Sequence, residues 1–382
     1  MPLKTIMAGI YFHIPFCKRR CAYCDFYSTT ESSKTDAYVD ALCEELRQRR
    51  DYISVVEPIE TIYFGGGTPT QLRASHFEKI FHTLYNMYSV NAEAEITLEA
   101  NPDDLTPAYV DSLRALPFNR LSMGIQTFSD SILRLIGRRH TAAEAVEAFW
   151  RCREAGFTNI SIDLIYGLPG QSAELWQRDL DIAISLEPDH ISAYCLTYEQ
   201  GTQLSKMKEQ GLVSEADEEL CEQLFTMLRS TLKSHGYEHY EISNFCLPGR
   251  HSRHNSSYWT GKKYLGCGPS AHSYNGLSRQ WNTASLDVYI DSVGRGMPDH
   301  EVEKLDLYTR YNDFVITSMR TSCGMSLEAL RLTFGDELYD YCLSMAGPHI
   351  VRGTLEKTDS FLRLSAKGLF VSDDIMSDMV YV

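Results

Sequence analysis

The feature that most constrains this chain is an alternation. Through roughly the first 200 residues, short runs rich in Ile, Val, Tyr and Thr recur six times, each followed by a helical pattern. The runs fall at 10–14, 59–64, 95–99, 120–125, 159–165 and 190–196, each bounded by Gly or Pro. The first helix begins near Asp36, with Tyr38, Leu42 and Leu46 on one face. Others are expected at 75–88, 107–116, 142–155 and 173–186, with Gly156 placed to stop the fourth of these five helices. Strands that alternate with helices pair in parallel through crossover connections. Six units are too few for an eight-fold barrel, so the expectation is an α/β fold, either a partial (βα)6 TIM-like barrel or an open doubly wound sheet. In both, polar groups at the C-terminal ends of the strands face the functional site.

Past residue 200 the alternation stops. A charged amphipathic helix is expected at 214–235, and 237–281 reads as loop-rich with short strands. From about residue 302 the pattern turns helical, at 307–320 and 327–334, and ends in a short strand near 361–364, as in a winged helix. The expected division is a core over 1–235, a loop-rich segment over 236–300 and a smaller, mostly α unit over 301–382. The net charge of −15, with the last unit also net acidic, argues against nucleic acid as a partner. Residues 1–16 lack the long apolar core and small-residue cleavage site of a signal peptide, and no stretch reaches the ~20 apolar residues of a membrane helix. A cytoplasmic setting without a stable membrane anchor follows as the expectation, and there cysteines stay reduced.

Of the 11 cysteines, three stand together. Cys17, Cys21 and Cys24 form C-x3-C-x2-C directly after the first strand. Three thiolates on one short loop can converge on one metal centre. The alternatives are three packing cysteines, or a structural zinc site that His13 would have to complete. Three ligands also suit a [4Fe–4S] cluster with one iron left open, because such clusters ordinarily take four cysteines. The other eight cysteines are scattered and read as small buried hydrophobes.

Further polar groups punctuate the strand ends. Gly65–Gly67 precede Thr68 and Pro69, and consecutive glycines after a strand form a simple turn or let the backbone approach a ligand. Glu99, Gln126 and Asp163 sit on strands three, four and five, with Arg138 shortly after. Such groups on apolar strands need partners. Neighbouring loops would supply them, or a ligand with hydroxyls, a cationic centre and a carboxylate, the last suited to Arg138.

The cysteine spacing, its place after the first strand and the GGGTP run resemble the radical S-adenosylmethionine (radical SAM) enzymes. That resemblance implies a partial (βα)6 barrel with a [4Fe–4S] cluster on Cys17, Cys21 and Cys24. Its open iron is chelated by the amino and carboxylate groups of S-adenosylmethionine, whose cleavage yields a 5′-deoxyadenosyl radical. The chain is most similar to the subgroup of oxygen-independent coproporphyrinogen III oxidases (dehydrogenases) and haem chaperones. By that resemblance Tyr11, Tyr23, Gly66, Gly67, Thr68, Glu99, Gln126, Arg138 and Asp163 contact S-adenosylmethionine.

Two departures separate the branches. The oxidase carries one more cysteine two residues past the third, where this chain has Phe26, and it has a long extension before its cluster. The run HNSSYW, His254–Trp259, resembles instead the HNxxYW signature of the haem-chaperone branch (HemW type). That branch implies haem as cargo and an apo-haemoprotein as recipient, such as a respiratory enzyme at the membrane. His254 is then a candidate axial ligand, Tyr258 and Trp259 would pack on the porphyrin, and Arg250, His251 and Arg253 would meet its propionates. The bland alternative is a surface loop anchored by its Tyr and Trp. The enzymatic alternative is an oxygen-independent coproporphyrinogen III oxidase. In LGCGPSAHSY, Gly266, Gly268 and Ala271 mimic a dinucleotide fingerprint, but no βαβ unit surrounds them and Pro269 interrupts the glycines, so a tight turn is expected.

Overall fold

A computed structural model describes residues 8–53 and 57–382. Residues 1–7, which include the start of the apolar stretch that was weighed as a signal peptide, lie outside it.

The six expected strands form: β1 (Ala8–Ile14), β2 (Ile59–Gly66), β3 (Val90–Ala100), β4 (Arg120–Gln126), β5 (Ile160–Tyr166) and β6 (His190–Cys195). Each pairs in parallel with the next. The crossovers carry α1 (Thr35–Gln48), α2 (Ala74–Met87), α3 (Pro107–Leu113), α4 (Asp130–Leu135), α5 (Ala142–Glu154) and α6 (Ala173–Ser185). A capping box starts α5, where Thr141 and Glu144 satisfy each other's backbone N–H groups, and Gly156 follows it with φ +98°. The helices bury Leu42, Leu46, Phe77, Leu84, Phe149 and Trp176 against the outer face of the sheet in one continuous core.

The short strands expected within the segment 236–300 form, and they extend the main sheet. After α7 (Gln203–Glu209) and α8 (Glu218–Ser234), the hairpin β7 (Glu238–Glu241) and β8 (Asn244–Cys246) pairs antiparallel with β6. The chain then crosses through α9 (Arg253–Trp259) to the opposite edge, where β9 (Lys263–Cys267) pairs in parallel with β1. β10 (His272–Tyr274), β11 (Ser278–Asn282), α10 (Leu286–Gly294) and β12 (His300–Lys304) continue that edge, making one 12-stranded sheet. These strands are short and polar, and β9 finds its partner at the far end of the sequence, so no local pattern announces their pairing. The Gly266–Ala271 run ends β9 and makes the turn into β10, with Gly268 at φ +105° and Ser270 at +63°.

The last unit has its own core around Tyr311, Leu330, Leu338 and Met379. Helices α11 (Leu307–Met319), α12 (Leu327–Val351) and α13 (Ser372–Met379) pack with a small sheet of β13 (Met325–Ser326), β15 (Phe361–Leu364) and β14 (Leu355–Lys357). The helix expected at 327–334 continues past a kink at Gly335, whose φ of +83° suits glycine.

Candidate functional site at the mouth of the barrel

The C-terminal ends of β2 to β6 converge on one cavity of about 500 Å³, which flat strands could not share. The strands therefore curve as in a partial barrel. Its lining brings together Cys17, Cys21 and Cys24, Tyr23, Gly66–Thr68, Glu99, Gln126, Arg138 and Asp163. Tyr11 is the one predicted contact of this set that does not line the cavity. It lies deeper, stacked on Tyr63 and on His254, with its hydroxyl donating to His13 Nδ1 at 3.3 Å.

The cysteine loop is held from several sides. Cys17 N–H donates to Thr29 O, Ala22 N–H to Ile136 O, and Lys18 pairs with the buried Asp104. Cys17 Sγ lies 3.4 Å from Thr68 Oγ1, and Arg138 Nη1 donates to Cys21 Sγ at 3.5 Å. Burial, with neighbouring cysteines adding to it, pushes the Cys24 thiol up to about 11. Three crowded thiols of this kind become thiolates together only when a cation shares their charge. His13 is not available to complete a zinc set: its Nε2 donates to Tyr27 O at 2.9 Å while Nδ1 accepts from Tyr11.

The glycines serve first the chain's own packing. A Cβ on Gly67 would lie 2.9 Å from Ile14 O and 3.0 Å from Phe16 O, so the GGGTP turn nests against the backbone that leads into the cysteines. Gly66, at φ +105°, faces the His13 ring in the same way.

Of the four carboxyls that line the cavity, Glu99 and Asp163 sit on the strands. Tyr63 O–H donates to Glu99 Oε1 at 2.8 Å, and Ser122 O–H donates to Asp163 Oδ1 at 3.3 Å. Burial raises Glu99 to about 7, with the Asp163 charge adding to the rise against the Tyr63 hydrogen bond. Burial likewise raises Asp163 to about 6, opposed by hydrogen bonds from Ser192 and Ser122 and by Arg120. Gln126 adopts φ +73°, rare for a residue with a side chain, where β4 slips register against β5. The slip turns its amide into the cavity at a cost of about 1–3 kcal/mol, a strain that marks functional positions. Arg138 Nη2 donates to Asn101 Oδ1 at 2.6 Å and to Gly124 O, while its buried Nε has no partner among the described residues.

Sequence reasoning missed Tyr63, Ser122, Ser192, Tyr194 and Asn255, all of which line the cavity. Asn255 had a signal, since it follows His254 in the motif. The others are ordinary strand residues that only the curvature of the sheet brings together.

The opposite end of the barrel is closed by α9, whose Asn255 reaches the cavity while His254 is held within the fold. His254 is 1% exposed. Its Nδ1 bonds Thr61 Oγ1 and its Nε2 bonds Tyr258 O–H, both at 2.9 Å. Burial, with Arg120 assisting, holds it down at about 3, so it stays neutral. Neither nitrogen is left for an axial bond. Tyr258 packs edge-on to Tyr264, and Trp259 lies under the Arg320 guanidinium at 4.9 Å, so neither presents a face for a porphyrin. The basic run is equally occupied: Arg250 with Asp189, His251 with Glu238, and Arg253 with Glu60 and Glu93 O. The Glu95 carboxylate accepts the N–H groups of Arg253 and His254 and caps the helix.

Comparison with known proteins fits this geometry. The Radical SAM superfamily profile matches residues 11–183. The heme chaperone HemW of Bacillus subtilis (strain 168) is 32% identical over 97% of this chain and 98% of its own length. The bovine radical S-adenosyl methionine domain-containing protein 1, mitochondrial, is 34% identical over 98% of this chain and 87% of its own. Among solved structures, the coproporphyrinogen III oxidase HemN of Escherichia coli superposes with a TM-score of 0.85 at 25% identity, over 98% of this chain and 90% of that one. The chain belongs to the HemW family of radical SAM proteins.

Proposed function

We propose that this chain is a haem chaperone that holds a [4Fe–4S] cluster and S-adenosylmethionine in the barrel mouth and passes haem to an apo-haemoprotein. The observation that carries the reading is the single cavity shared by the three cysteines, the GGGTP turn and two buried carboxyls. Cys17, Cys21 and Cys24 would ligate three irons, and bound S-adenosylmethionine would bring one-electron chemistry to the site. Glu99 and Asp163 sit where a cationic ligand would draw them into their charged forms. Gln126 and Tyr23 would orient the ligand, and Arg138 would fix Cys21 while its buried Nε has no partner among the described residues.

The haem would lie at the rim of the same mouth rather than on α9. Phe26 is 63% exposed and Tyr194 43% exposed, and both line the cavity beside the exposed Arg19 and Arg20. Two aromatic faces with two cations suit an anionic porphyrin. The names of the full-length relatives favour transport over catalysis, and Phe26 occupies the place of the oxidase's extra cysteine. Among the described residues no helix is long and apolar enough to cross a membrane, so contact with a membrane-bound recipient would be transient.

One sample decides between chaperone and oxidase. Protein reconstituted without oxygen is titrated with haem and separately given coproporphyrinogen III. A shifted Soret band with no protoporphyrinogen formed is expected. Protoporphyrinogen formation would instead establish the oxidase, and the absence of any haem binding would point to a different substrate.

A further inference from the structure

At the closed end of the barrel, away from the cysteine loop, three side chains of different chemistry meet on one spot. Glu238 opens β7 and pairs across the hairpin with Cys246, the last residue of β8. Antiparallel partners directly opposite present their side chains on the same face. His251 follows in the loop that leads into α9, its ring held edge-on against Tyr240 at 4.5 Å. The carboxylate oxygen, the thiol sulfur and an imidazole nitrogen all lie within 4.8 Å of one another, with His251 Nε2 3.6 Å from Glu238 Oε2.

We propose that Glu238, Cys246 and His251 form a binding site for a zinc-type divalent cation, separate from the cluster. One thiolate, one imidazole and one carboxylate is a donor set that suits zinc, with water in the fourth position. In a tetrahedral site with bonds of about 2.0–2.3 Å, ligand atoms lie roughly 3.3–3.8 Å apart. The present spread exceeds that by about an ångström, which rotation of the exposed Glu238 side chain supplies. Cys246 is fully buried, yet a carboxylate faces it, and burial with the Glu238 charge pushes its thiol up to about 12. A thiolate and a carboxylate set against each other repel unless a cation lies between them. The Arg250 backbone N–H, which donates to Leu247 O, lies near enough to favour the thiolate that such a cation would bind.

The position gives the site a task. A bound cation would tie the β7–β8 hairpin, and through it the β6 edge, to the segment entering α9. The floor of the barrel would then be pinned from two directions, by Glu95 capping the helix and by the metal at its approach.

The test uses the full chain with its cluster reconstituted, because the cluster cysteines would otherwise take up zinc themselves. Zinc is added, excess is removed by dialysis, and affinity is read by competition with a chromophoric chelator. Zinc-edge X-ray absorption then counts the sulfurs. One zinc per chain with one sulfur at about 2.3 Å and the remaining ligands nitrogen or oxygen is expected. His251→Ala, at a side chain 41% exposed, should weaken zinc binding by about 100-fold or more without disturbing the fold, since losing even an outer-shell partner costs about 10- to 100-fold. Cys246→Ser should remove the sulfur scatterer. Failure to retain zinc, a coordination shell of three sulfurs, or full affinity in His251→Ala would each overturn the proposal.

Discussion

The two ends of the barrel are cut from the same strands and are treated oppositely. At the mouth the polar groups are under-satisfied: two carboxyls raised toward neutrality, an arginine nitrogen without a partner, a strained glutamine. On the floor, by contrast, the groups around His254 are matched, namely both of its nitrogens, the carboxylate of Glu95 and the guanidinium of Arg253, although the buried Trp259 Nε1 has no partner among the described residues. A satisfied network costs little to keep and has nothing to offer a newcomer. An unsatisfied one is stable only if a ligand completes it. On the reading proposed above, the His254 motif serves the fold at one end of the barrel and haem is met at the other.

The largest effect that would sharpen this contrast is at the cysteines. Cys17→Ser should lose most of the iron and the brown absorbance near ~400 nm after anaerobic reconstitution, since in the proposed site only three cysteines would hold the cluster. Iron content close to wild type would break the three-cysteine assignment.

A tenfold effect is expected from pH. At pH 6 most of Glu99 carries a proton, and a cationic ligand must displace it. Binding of S-adenosylmethionine should strengthen by about tenfold from pH 6 to pH 8 and release protons, as calorimetry in two buffers would read. Glu99→Gln should flatten that profile. The stability sign is opposite. Both folded values lie above the unfolded ones of 4.5 and 3.8, so the stability each carboxyl adds is full below about pH 4 and fades as pH rises through 6 to 7.

A smaller change should separate the rim from the floor. Reversing Arg19 and Arg20 to Glu should weaken haem binding by about five- to tenfold, an electrostatic effect that added salt reduces. Arg250→Glu, near the floor, should leave haem affinity as it was. Equal losses from both would mean that the porphyrin spans the two regions.

The smallest expected change in haem binding is the most pointed. His254→Ala should leave the haem spectrum and affinity unaltered while destabilising the fold by about 2–4 kcal/mol through a cavity and stranded partners. A lost Soret band in well-folded protein would restore His254 as an axial ligand.

The core was legible because its rules are local. Apolar runs closed by Gly or Pro placed β1, β2, β4, β5 and β6 to within two residues or so. The first turns of β3 escaped because Asn91 and Glu93 interrupt its apolar pattern, and α4 because six residues carry too little periodicity. Cysteine spacing and strand-end polarity marked the mouth, since both are sequence neighbours of strand termini. What could not be read was anything set by curvature or by distant pairing: Tyr63 against Tyr11, Thr61 against His254, β9 against β1. The His254 reading failed for the same reason. A histidine's availability depends on who holds its nitrogens, and while Tyr258 is four residues on in the same helix, Thr61 comes from a strand nearly 200 residues away.

The pairing of β9 with β1 also bears on how the molecule is made. Ala8 meets Lys263, so a chain emerging from the ribosome holds β1 as an unpaired edge until about two thirds of the protein exists. Such contacts are slow to form, and open edges invite pairing with other chains. Cys17, Cys21 and Cys24 lie just beyond that edge. Iron offered to a nascent chain would meet the cysteine loop before the barrel beneath it was complete, which favours cluster insertion after synthesis ends.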